Sequence, residues 1–377
     1  MTENYTALYE EHKKLGASFT DFGGWQMPLK YSSELAEHHA VRKSAGLFDL
    51  SHMGEVWVTG TDAAAFLDYA LVGKISAMAI GKAKYSLICN EDGGIIDDLI
   101  TYRRGDQKFL VVPNAGNAKV VAEALAERAA GFDVTVEDAS AATSLIAVQG
   151  PKAEAILLRL VPAAQHDLVT GLKYYAAVEV PFMFGGASQD LLLARTGYTG
   201  EDGFEIFVAN DDAATLWQAL VAIAEDGELT PAGLASRDSL RLEAGMPLYG
   251  NELSLDGDPF AAGLGPVVAL SKEGDFVGKA ALAAKKEAGA GATTGRKLVG
   301  LKGLGRRAGR GHYSVLKDGT VVGEVTSGQP SPTLGYPVAM AYVDVEFTEP
   351  GTALDIDLRG KNEPFEVVAL PFYKRQK

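Results

Sequence analysis

The chain has 377 residues, of which 47% are hydrophobic and 22% charged. This composition predicts a globular protein of roughly two or three domains and excludes a disordered, collagenous or coiled-coil chain. The formal net charge of −14 argues against broad binding to nucleic acid or anionic membranes.

Three features of the sequence predict a cytoplasmic protein. No run of apolar residues approaches the ~18 residues that a membrane-spanning helix needs. Residues 1–15 lack the apolar stretch of a targeting peptide. The chain has one cysteine, Cys89, which excludes an intrachain disulfide and fits a reducing compartment.

The first half of the chain alternates between helical and strand patterns. Gly23 and Gly24 interrupt residues 19–25, which we expect to be a loop, and Gly46 is expected to end the second helix. Helices are predicted at residues 8–15, 33–44, 61–71, 115–130 and 151–160. Strands are predicted at residues 54–59, 84–89, 94–102, 109–113, 134–137 and 144–149, with a hairpin turn at residues 90–94.

The second half changes from mixed to strand-rich patterns. Strands at residues 191–194 and 204–208 flank a glycine-rich segment, and helices follow at 211–225 and 231–245. An Ala-, Gly- and Lys-rich stretch at residues 280–295 has the composition of a flexible linker. Beyond it, short strands are predicted at 298–301, 314–317, 321–325, 339–345, 354–358 and 365–370, with a hairpin at Asp318-Gly319, which is typical of a small barrel or Greek-key domain.

The common catalytic signatures are absent from the sequence. There is no Gly-x-Ser-x-Gly segment, no phosphate-binding P-loop and no His-Glu-x-x-His segment. The only histidines close together in sequence, His38 and His39, would diverge by about 100° on a helix and make a poor metal pair. We therefore expect no catalytic metal.

Polar residues inside apolar or glycine-rich strands are the candidate functional residues. Asp97 and Asp98 are neighbours on one strand, so one carboxylate must face the apolar side, where it needs a partner or a ligand. Binding of the backbone of the preceding turn is an equally good explanation. For the glycine-rich segment 195–203, which precedes Glu205, an ordinary long turn is the simpler explanation. Arg237 and Arg241 share a helix face, where they could bind an anion or form two ion pairs.

Several of these stretches together resemble the aminomethyltransferase family, the T-proteins of the glycine cleavage system. The resemblance runs along nearly the whole chain. The stretches that carry it are residues 21–29, 46–54, 93–100, 148–151, 195–201, 237–246, 326–328 and 331–335.

The resemblance implies an α+β fold, a three-domain cloverleaf around a central folate pocket. Two intertwined α+β domains would comprise residues 1–52 with 141–230 and residues 53–140 with 231–275. Residues 276–295 would form the linker, and residues 296–377 a carboxyl-terminal Greek-key or barrel-like β domain.

The resemblance also implies a reaction. The methylene of the aminomethyl-lipoyl group of H-protein would pass to tetrahydrofolate, the co-substrate, with release of ammonia and 5,10-methylenetetrahydrofolate. The partners would be lipoylated H-protein and tetrahydrofolate, and neither a metal nor a flavin would take part.

Individual residues take their expected roles from the same resemblance. Asp98 would be the catalytic carboxylate, Asp97 a structural one, and Glu205 the carboxylate that binds the pterin edge, with Arg237 beside it. Further folate-pocket positions would be Tyr85, Tyr102, Asn114, Tyr174, Tyr198 and Arg310. Tyr373 does not align with the carboxyl-terminal ligand tyrosine of some members, and no role is transferred to it.

Two alternative functions are also compatible with the sequence. One is another folate-dependent demethylase or one-carbon transferase of the superfamily, although the flavin region of the related oxidases is missing. The other is a non-enzymatic folate-binding relative, although the cysteine motif Lys-Gly-Cys-Tyr-x-Gly-Gln-Glu is absent. Docking of an acidic H-protein would use a local positive patch or tolerate poor electrostatic steering, and the candidate patch is the basic loop formed by Arg306, Arg307 and Arg310.

Overall fold

The computed structural model of the protein describes residues 3–376. Its helices are α1 (Tyr9–Lys14), α2 (Glu34–Lys43), α3 (Ala63–Ala70), α4 (Ala118–Arg128), α5 (Ala153–Leu158), α6 (His166–Thr170), α7 (Asn210–Ile223), α8 (Leu234–Glu243) and α9 (Lys279–Ala288). Its strands are β1 (Ser18–Phe22), β2 (Trp25–Lys30), β3 (Ala45–Asp49), β4 (Val56–Thr59), β5 (Ala83–Cys89), β6 (Ile95–Gly105), β7 (Lys108–Pro113), β8 (Thr135–Asp138), β9 (Thr143–Gln149), β10 (Ala177–Phe184), β11 (Ala187–Ala194), β12 (Gly203–Ala209), β13 (Leu229–Pro231), β14 (Arg296–Gly303), β15 (Ser314–Lys317), β16 (Thr320–Pro330), β17 (Pro337–Asp344), β18 (Ala353–Asp357) and β19 (Asn362–Val368).

The chain divides into two compact units that are discontinuous in sequence. Unit 1 contains Met1–Phe66, Ile75–Lys84 and Leu99–Asp238, and unit 2 contains Leu67–Lys74, Tyr85–Asp98 and Ser239–Lys377. The four-part domain division inferred from the sequence stays a prediction.

Unit 1 is built on a six-stranded sheet of order β10-β11-β12-β9-β3-β13. The pairs are antiparallel except β13 with β3, which is parallel. Helices α5 and α7 pack against this sheet, and α7 buries Leu216, Trp217 and Leu220, as its amphipathic sequence predicts. The core between sheet and helices fixes the positions of β9 and β12, which carry much of the candidate site.

A second sheet has the order β5-β6-β7-β4-β8. In unit 1, β6 pairs with β7 from Leu99↔Pro113 to Gly105↔Lys108, and β4 pairs with both β7 and β8. In unit 2, the first residues of β6 contribute Ile95 to a core that also contains Leu87, Phe276 and Leu282.

Unit 2 ends in a closed barrel of order β14-β17-β16-β15-β18-β19. Its interior is filled by apolar residues such as Leu301, Val325, Ile356 and Phe365. The hairpin between β15 and β16 turns at Asp318-Gly319 with φ of 50° and 83°, the left-handed values that a two-residue turn requires. The predicted α+β fold with a carboxyl-terminal β barrel is therefore confirmed.

Three predictions of local structure were wrong. Residues 19–25 are not a loop, because Phe22 pairs with Trp25 across a Gly23-Gly24 turn with φ of 61° and 86°, which joins β1 to β2. Gly46 does not only end a helix but lies within the buried β3, where an added Cβ would lie 2.4 Å from Val41. The predicted linker contains helix α9, since an alanine-rich segment can form a helix once one face is buried.

No helix within residues 3–376 combines the length and the apolar character needed to cross a bilayer.

Candidate functional site

The candidate site in unit 1 is centred on the buried carboxylate of Glu205. Glu205 lies on β12 opposite Ala147 of β9, and 8% of its surface is exposed. Thr196 donates a hydrogen bond from its hydroxyl to Oε2 of Glu205. The Tyr102 hydroxyl lies 3.4 Å from the same oxygen and 3.0 Å from the Thr196 hydroxyl. Burial raises the pKa of Glu205, while Thr196, Arg237 and Tyr102 oppose that rise by favouring the ionised form.

Arg237 supplies the positive charge beside Glu205. The carbon of its guanidinium group lies 4.8 Å from the centre of the Tyr198 ring, which is a cation–π distance. Burial lowers the pKa of Arg237, and the neighbouring Tyr198 and Glu205 counteract this. Four residues predicted from the sequence therefore belong to one cluster, namely Glu205, Tyr102, Tyr198 and Arg237.

The glycine-rich segment before β12 wraps around the side chain of Gln149. The amide of Gln149 donates to the carbonyl of Thr196 at 3.0 Å and accepts from the Thr199 hydroxyl at 3.0 Å. An added Cβ would lie 2.0 Å from Gln149 at Gly197 and 2.5 Å from it at Gly203. Glycine is therefore needed at both positions, because the backbone packs directly on Gln149. Gln149 in turn holds Thr196 in position to hydrogen-bond to Glu205.

Two ion pairs stabilise the glycine-rich segment 195–203. Arg195 forms a bidentate pair with Asp202, with distances of 3.0 and 2.6 Å. Arg42 on α2 donates to the Thr199 carbonyl at 2.6 Å and to Glu201 at 3.0 Å. Because the Arg42 and Glu201 side chains are only 5% and 6% exposed, this pair is shielded from solvent.

His52 is a further polar residue close to this cluster. It is buried, its ring contacts Phe22 with a centre-to-centre distance of 5.6 Å, and its Nδ1 atom has no hydrogen-bond partner. Burial, together with the positive charge of Arg237, lowers the pKa of His52 to about 4. The imidazole is therefore neutral at physiological pH.

The candidate catalytic residue Asp98 lies in unit 2. Tyr85 donates a hydrogen bond to Oδ2 of Asp98 at 3.0 Å. On β6, Asp97 is fully buried and Asp98 is partly exposed, which confirms that one of the two carboxylates faces the apolar side. The turn before β6 is bound by Asn90, whose Oδ1 accepts from the Gly94 amide at 2.7 Å, so neither aspartate is needed for that contact.

Tyr249 completes the surroundings of Asp98 and was not identified from the sequence. Its hydroxyl donates to the carbonyl of Ile95 at 2.9 Å. Burial and the negative charges of Asp97, Asp98 and Asp256 raise the pKa of Tyr249. No sequence signal marked Tyr249, because its loop is far from Asp98 along the chain.

The remaining predicted positions are more peripheral. Tyr174 is 49% exposed and packs edge-on against Tyr175, which is close enough to Tyr102 to influence its ionisation. Asn114 follows β7, where its carbonyl accepts from the Asn117 amide at 3.0 Å. Arg310 lies exposed in the basic loop and reaches the Gly328 carbonyl at 3.4 Å.

The two arginines on α8 have different roles. Arg241 is buried and pairs with Glu252 at 2.9 Å and with the Ser327 hydroxyl at 2.8 Å. For Arg241 the ion-pair explanation is therefore confirmed. In the basic loop all three arginines are exposed, and Arg307 lies 3.5 Å from Glu363.

The residues that sequence reasoning missed in unit 1 are Thr196, Gln149 and His52. Each lies inside a stretch that carried the family resemblance, so the signal was present. A polar side chain at the end of an apolar strand, as in Gln149, the last residue of β9, is the feature that could have identified it.

Two family models match the chain. The model described as the GCVT N-terminal domain matches residues 8–272. The model described as the glycine cleavage T-protein C-terminal barrel domain matches residues 296–374, which include the closed barrel.

Curated relatives and a solved structure resemble the chain over nearly its full length. The aminomethyltransferase of Streptomyces avermitilis is 58% identical over 374 residues, covering 99% of this chain and 98% of the relative. That of Bacillus subtilis is 44% identical over 370 residues, covering 98% and 99%. The crystal structure of glycine cleavage system aminomethyltransferase T from Bartonella henselae matches with a TM-score of 0.89 at 38% identity, covering 98% of each chain.

Proposed function

Because the chain belongs to the glycine cleavage T-protein family, we propose that it is an aminomethyltransferase that acts on tetrahydrofolate and the lipoyl arm of H-protein. The methylene of the aminomethyl-lipoyl group would pass to tetrahydrofolate, giving 5,10-methylenetetrahydrofolate, ammonia and reduced lipoyl H-protein. The proposal requires neither a metal nor a flavin. Its main structural support is the buried Glu205 carboxylate with Arg237 beside it.

Glu205 is suited to bind the pterin ring. The 2-amino-4-oxopyrimidine edge presents two adjacent N–H donors, and an ionised carboxylate presents two acceptor oxygens at a matching separation. Thr196 and Arg237 favour the ionised form of Glu205. The partly exposed ring of Tyr198 would provide an apolar wall for the bound ligand, and the buried Tyr102 would act through its hydroxyl contacts with Glu205 and Thr196.

Asp98 is suited to the proton transfers of the reaction. Ammonia release and ring closure need a group that accepts a proton from the folate amine and stabilises the positive charge that develops on the methylene carbon. Asp98 is partly exposed and is oriented by the Tyr85 hydroxyl, so it can serve as that group. Asp97 is fully buried and takes the structural role.

The test compares Asp98→Asn with the wild type in tetrahydrofolate-dependent ammonia release from aminomethyl-loaded H-protein. We expect Asp98→Asn to bind tetrahydrofolate normally but to lose most of its turnover, about 100-fold or more. Asp106→Asn is a matched control, because Asp106 is 85% exposed and should leave turnover unchanged. Near-normal turnover in Asp98→Asn would show that Asp98 is not the catalytic carboxylate.

The same assay separates the alternatives. Folate binding without ammonia release from H-protein would indicate a different methyl or methylene donor, and no turnover with any donor would indicate a folate-binding protein. The relatives named above favour neither alternative. A cytoplasmic location stays a prediction from the sequence.

A further inference from the structure

A cleft of about 400 Å³ opens in unit 1, apart from the residues assigned to folate. It is lined by parts of β4, β7, β11 and β12 and by the first turn of α7. Trp57, Leu110 and Phe207 give it apolar and aromatic walls. All the charged side chains that line it are acidic, namely Glu55, Asp190 and Asp212. The cleft therefore combines an apolar lining with negative charge.

Glu55 is the unusual member of this lining. The residue is 1% exposed, and neither of its carboxyl oxygens has a hydrogen-bond partner. Its backbone is fixed, because its amide donates to the Ser140 hydroxyl at 2.9 Å and its carbonyl accepts from the Ala139 amide at 2.9 Å. Buried carboxyl groups are normally hydrogen-bonded, so two oxygens without a protein partner beside a cleft make Glu55 a candidate to bind a hydrogen-bond donor.

The ionisation of Glu55 depends on such a partner. Burial, together with the negative charge of Asp138, raises the pKa of Glu55 to about 9. The carboxyl group is therefore protonated at neutral pH. A cation placed beside it would favour the ionised form, so binding of a cation would release a proton.

We propose that this cleft binds an organic cation, an ammonium or guanidinium group on an aromatic or apolar body, with Glu55 as its counter-ion. The N–H donors of the cation would satisfy the two orphaned oxygens of Glu55. The body of the ligand would pack against Trp57 and Phe207. Because the Lys108 ammonium already lies 4.6 Å from the centre of the Trp57 ring, the cation–π attraction to the ligand would come from Phe207. Asp190 and Asp212 attract a cation and repel an anion of the same size.

The burial of Glu55 defines one step of binding. Both oxygens of Glu55 are closed to solvent, so the side chain must rotate toward the open part of the cleft to meet the cation. The cleft is next to the Glu205 cluster, because the Phe207 ring lies 5.8 Å from the Tyr102 ring, centre to centre. It is separate from that cluster, because none of the cluster's residues lines it.

The test uses benzylammonium as the probe and isothermal titration calorimetry of the full chain near pH 7.5. Titrations in two buffers with different ionisation enthalpies give the number of protons released. We expect saturable binding that releases nearly one proton per site. Benzyl alcohol and benzoate are the neutral and anionic controls, and neither should bind comparably.

Glu55→Gln is the decisive variant. Glutamine has the shape of a protonated glutamate, so the variant should fold and retain folate-dependent ammonia release. It should bind the probe at least about tenfold more weakly and release no proton on binding. Glu205→Gln should bind the probe like the wild type, which separates this site from the folate site.

Three results would overturn the proposal. They are the absence of saturable binding up to about 10 mM probe, equal affinity in the wild type and Glu55→Gln, and binding without proton release. Because Glu205 and Asp98 are intact in Glu55→Gln, none of these results bears on the proposed aminomethyl transfer.

Discussion

Thr196→Val removes the hydroxyl that hydrogen-bonds to Glu205 and leaves the shape of the side chain at position 196 nearly unchanged. In the wild type the Thr196 hydroxyl donates to Oε2 of Glu205. Thr196 is 1% exposed, so no water molecule can replace the lost donor without rearrangement. The substitution therefore tests directly whether the carboxylate must be ionised to bind folate.

The expected loss of tetrahydrofolate affinity follows from the strength of the Thr196–Glu205 hydrogen bond. A hydrogen bond to a charged group is worth about 1.5–3 kcal/mol, and about 1.4 kcal/mol corresponds to tenfold in affinity. Tyr102 still reaches the same oxygen at 3.4 Å and compensates in part. We therefore expect tetrahydrofolate to bind about tenfold more weakly at pH 7.

The loss of folate affinity in Thr196→Val should also depend on pH. Burial already raises the pKa of Glu205, and the Thr196 hydrogen bond lowers it, so loss of that bond raises the pKa further. At pH values below the new pKa, a smaller fraction of the carboxyl group is ionised. The affinity deficit of Thr196→Val should therefore be largest at low pH and should shrink as the pH rises.

The assay is a fluorescence titration of tetrahydrofolate from about pH 6 to pH 9. Thr101→Val is the matched control, because Thr101 is equally buried but its hydroxyl makes no hydrogen bond to Glu205 or to any other group among residues 3–376. Thr196 does not support ionisation of Glu205 if Thr196→Val binds folate like the wild type, or if its affinity deficit is the same at every pH.

The remaining predictions concern unit 2. Glu252→Gln should lower the free energy of unfolding by about 3–5 kcal/mol, because it leaves the buried Arg241 without its counter-charge, and denaturant unfolding measures this. Arg296→Gln breaks an ion pair with Asp344 in which both side chains are more than a third exposed, so it should lower the free energy of unfolding by at most about 1 kcal/mol. Equal losses of stability in Glu252→Gln and Arg296→Gln would contradict the expectation that burial makes the first pair more important. Reversal of the three charges of the basic loop to glutamate should lower kcat/KM for H-protein, with a deficit that shrinks at high salt. Wild-type kinetics in that triple variant would place the docking surface elsewhere.

Local sequence signals were sufficient for much of the fold. The hairpin at Asp318-Gly319 and the helix α7 were predicted because turn chemistry and amphipathic spacing act over a few residues. The same holds for the opposite orientations of Asp97 and Asp98, which follow from the two-residue repeat of a strand. The roles of Asp98, Glu205 and Arg237 came from the family resemblance and stay proposals.

Other features depended on contacts between distant parts of the chain. The segment with Gly23 and Gly24 was taken as a loop, because its glycines signal a turn but not the strands that pair across it. Helix α9 forms within a segment of linker composition, since burial of Leu282 stabilises one face that propensity alone does not fix.

The sequence by itself determined the composition class, most of the helices and strands and, through its ordered motifs, the family. The tertiary structure decided which polar groups meet and which of them lack a partner. Gln149 and Thr196 are 47 residues apart yet hydrogen-bonded, whereas Glu55 has two buried oxygens without a partner. Periodicity predicts the face on which a side chain lies, but the partner and the pKa of a buried group depend on the neighbours that folding brings to it.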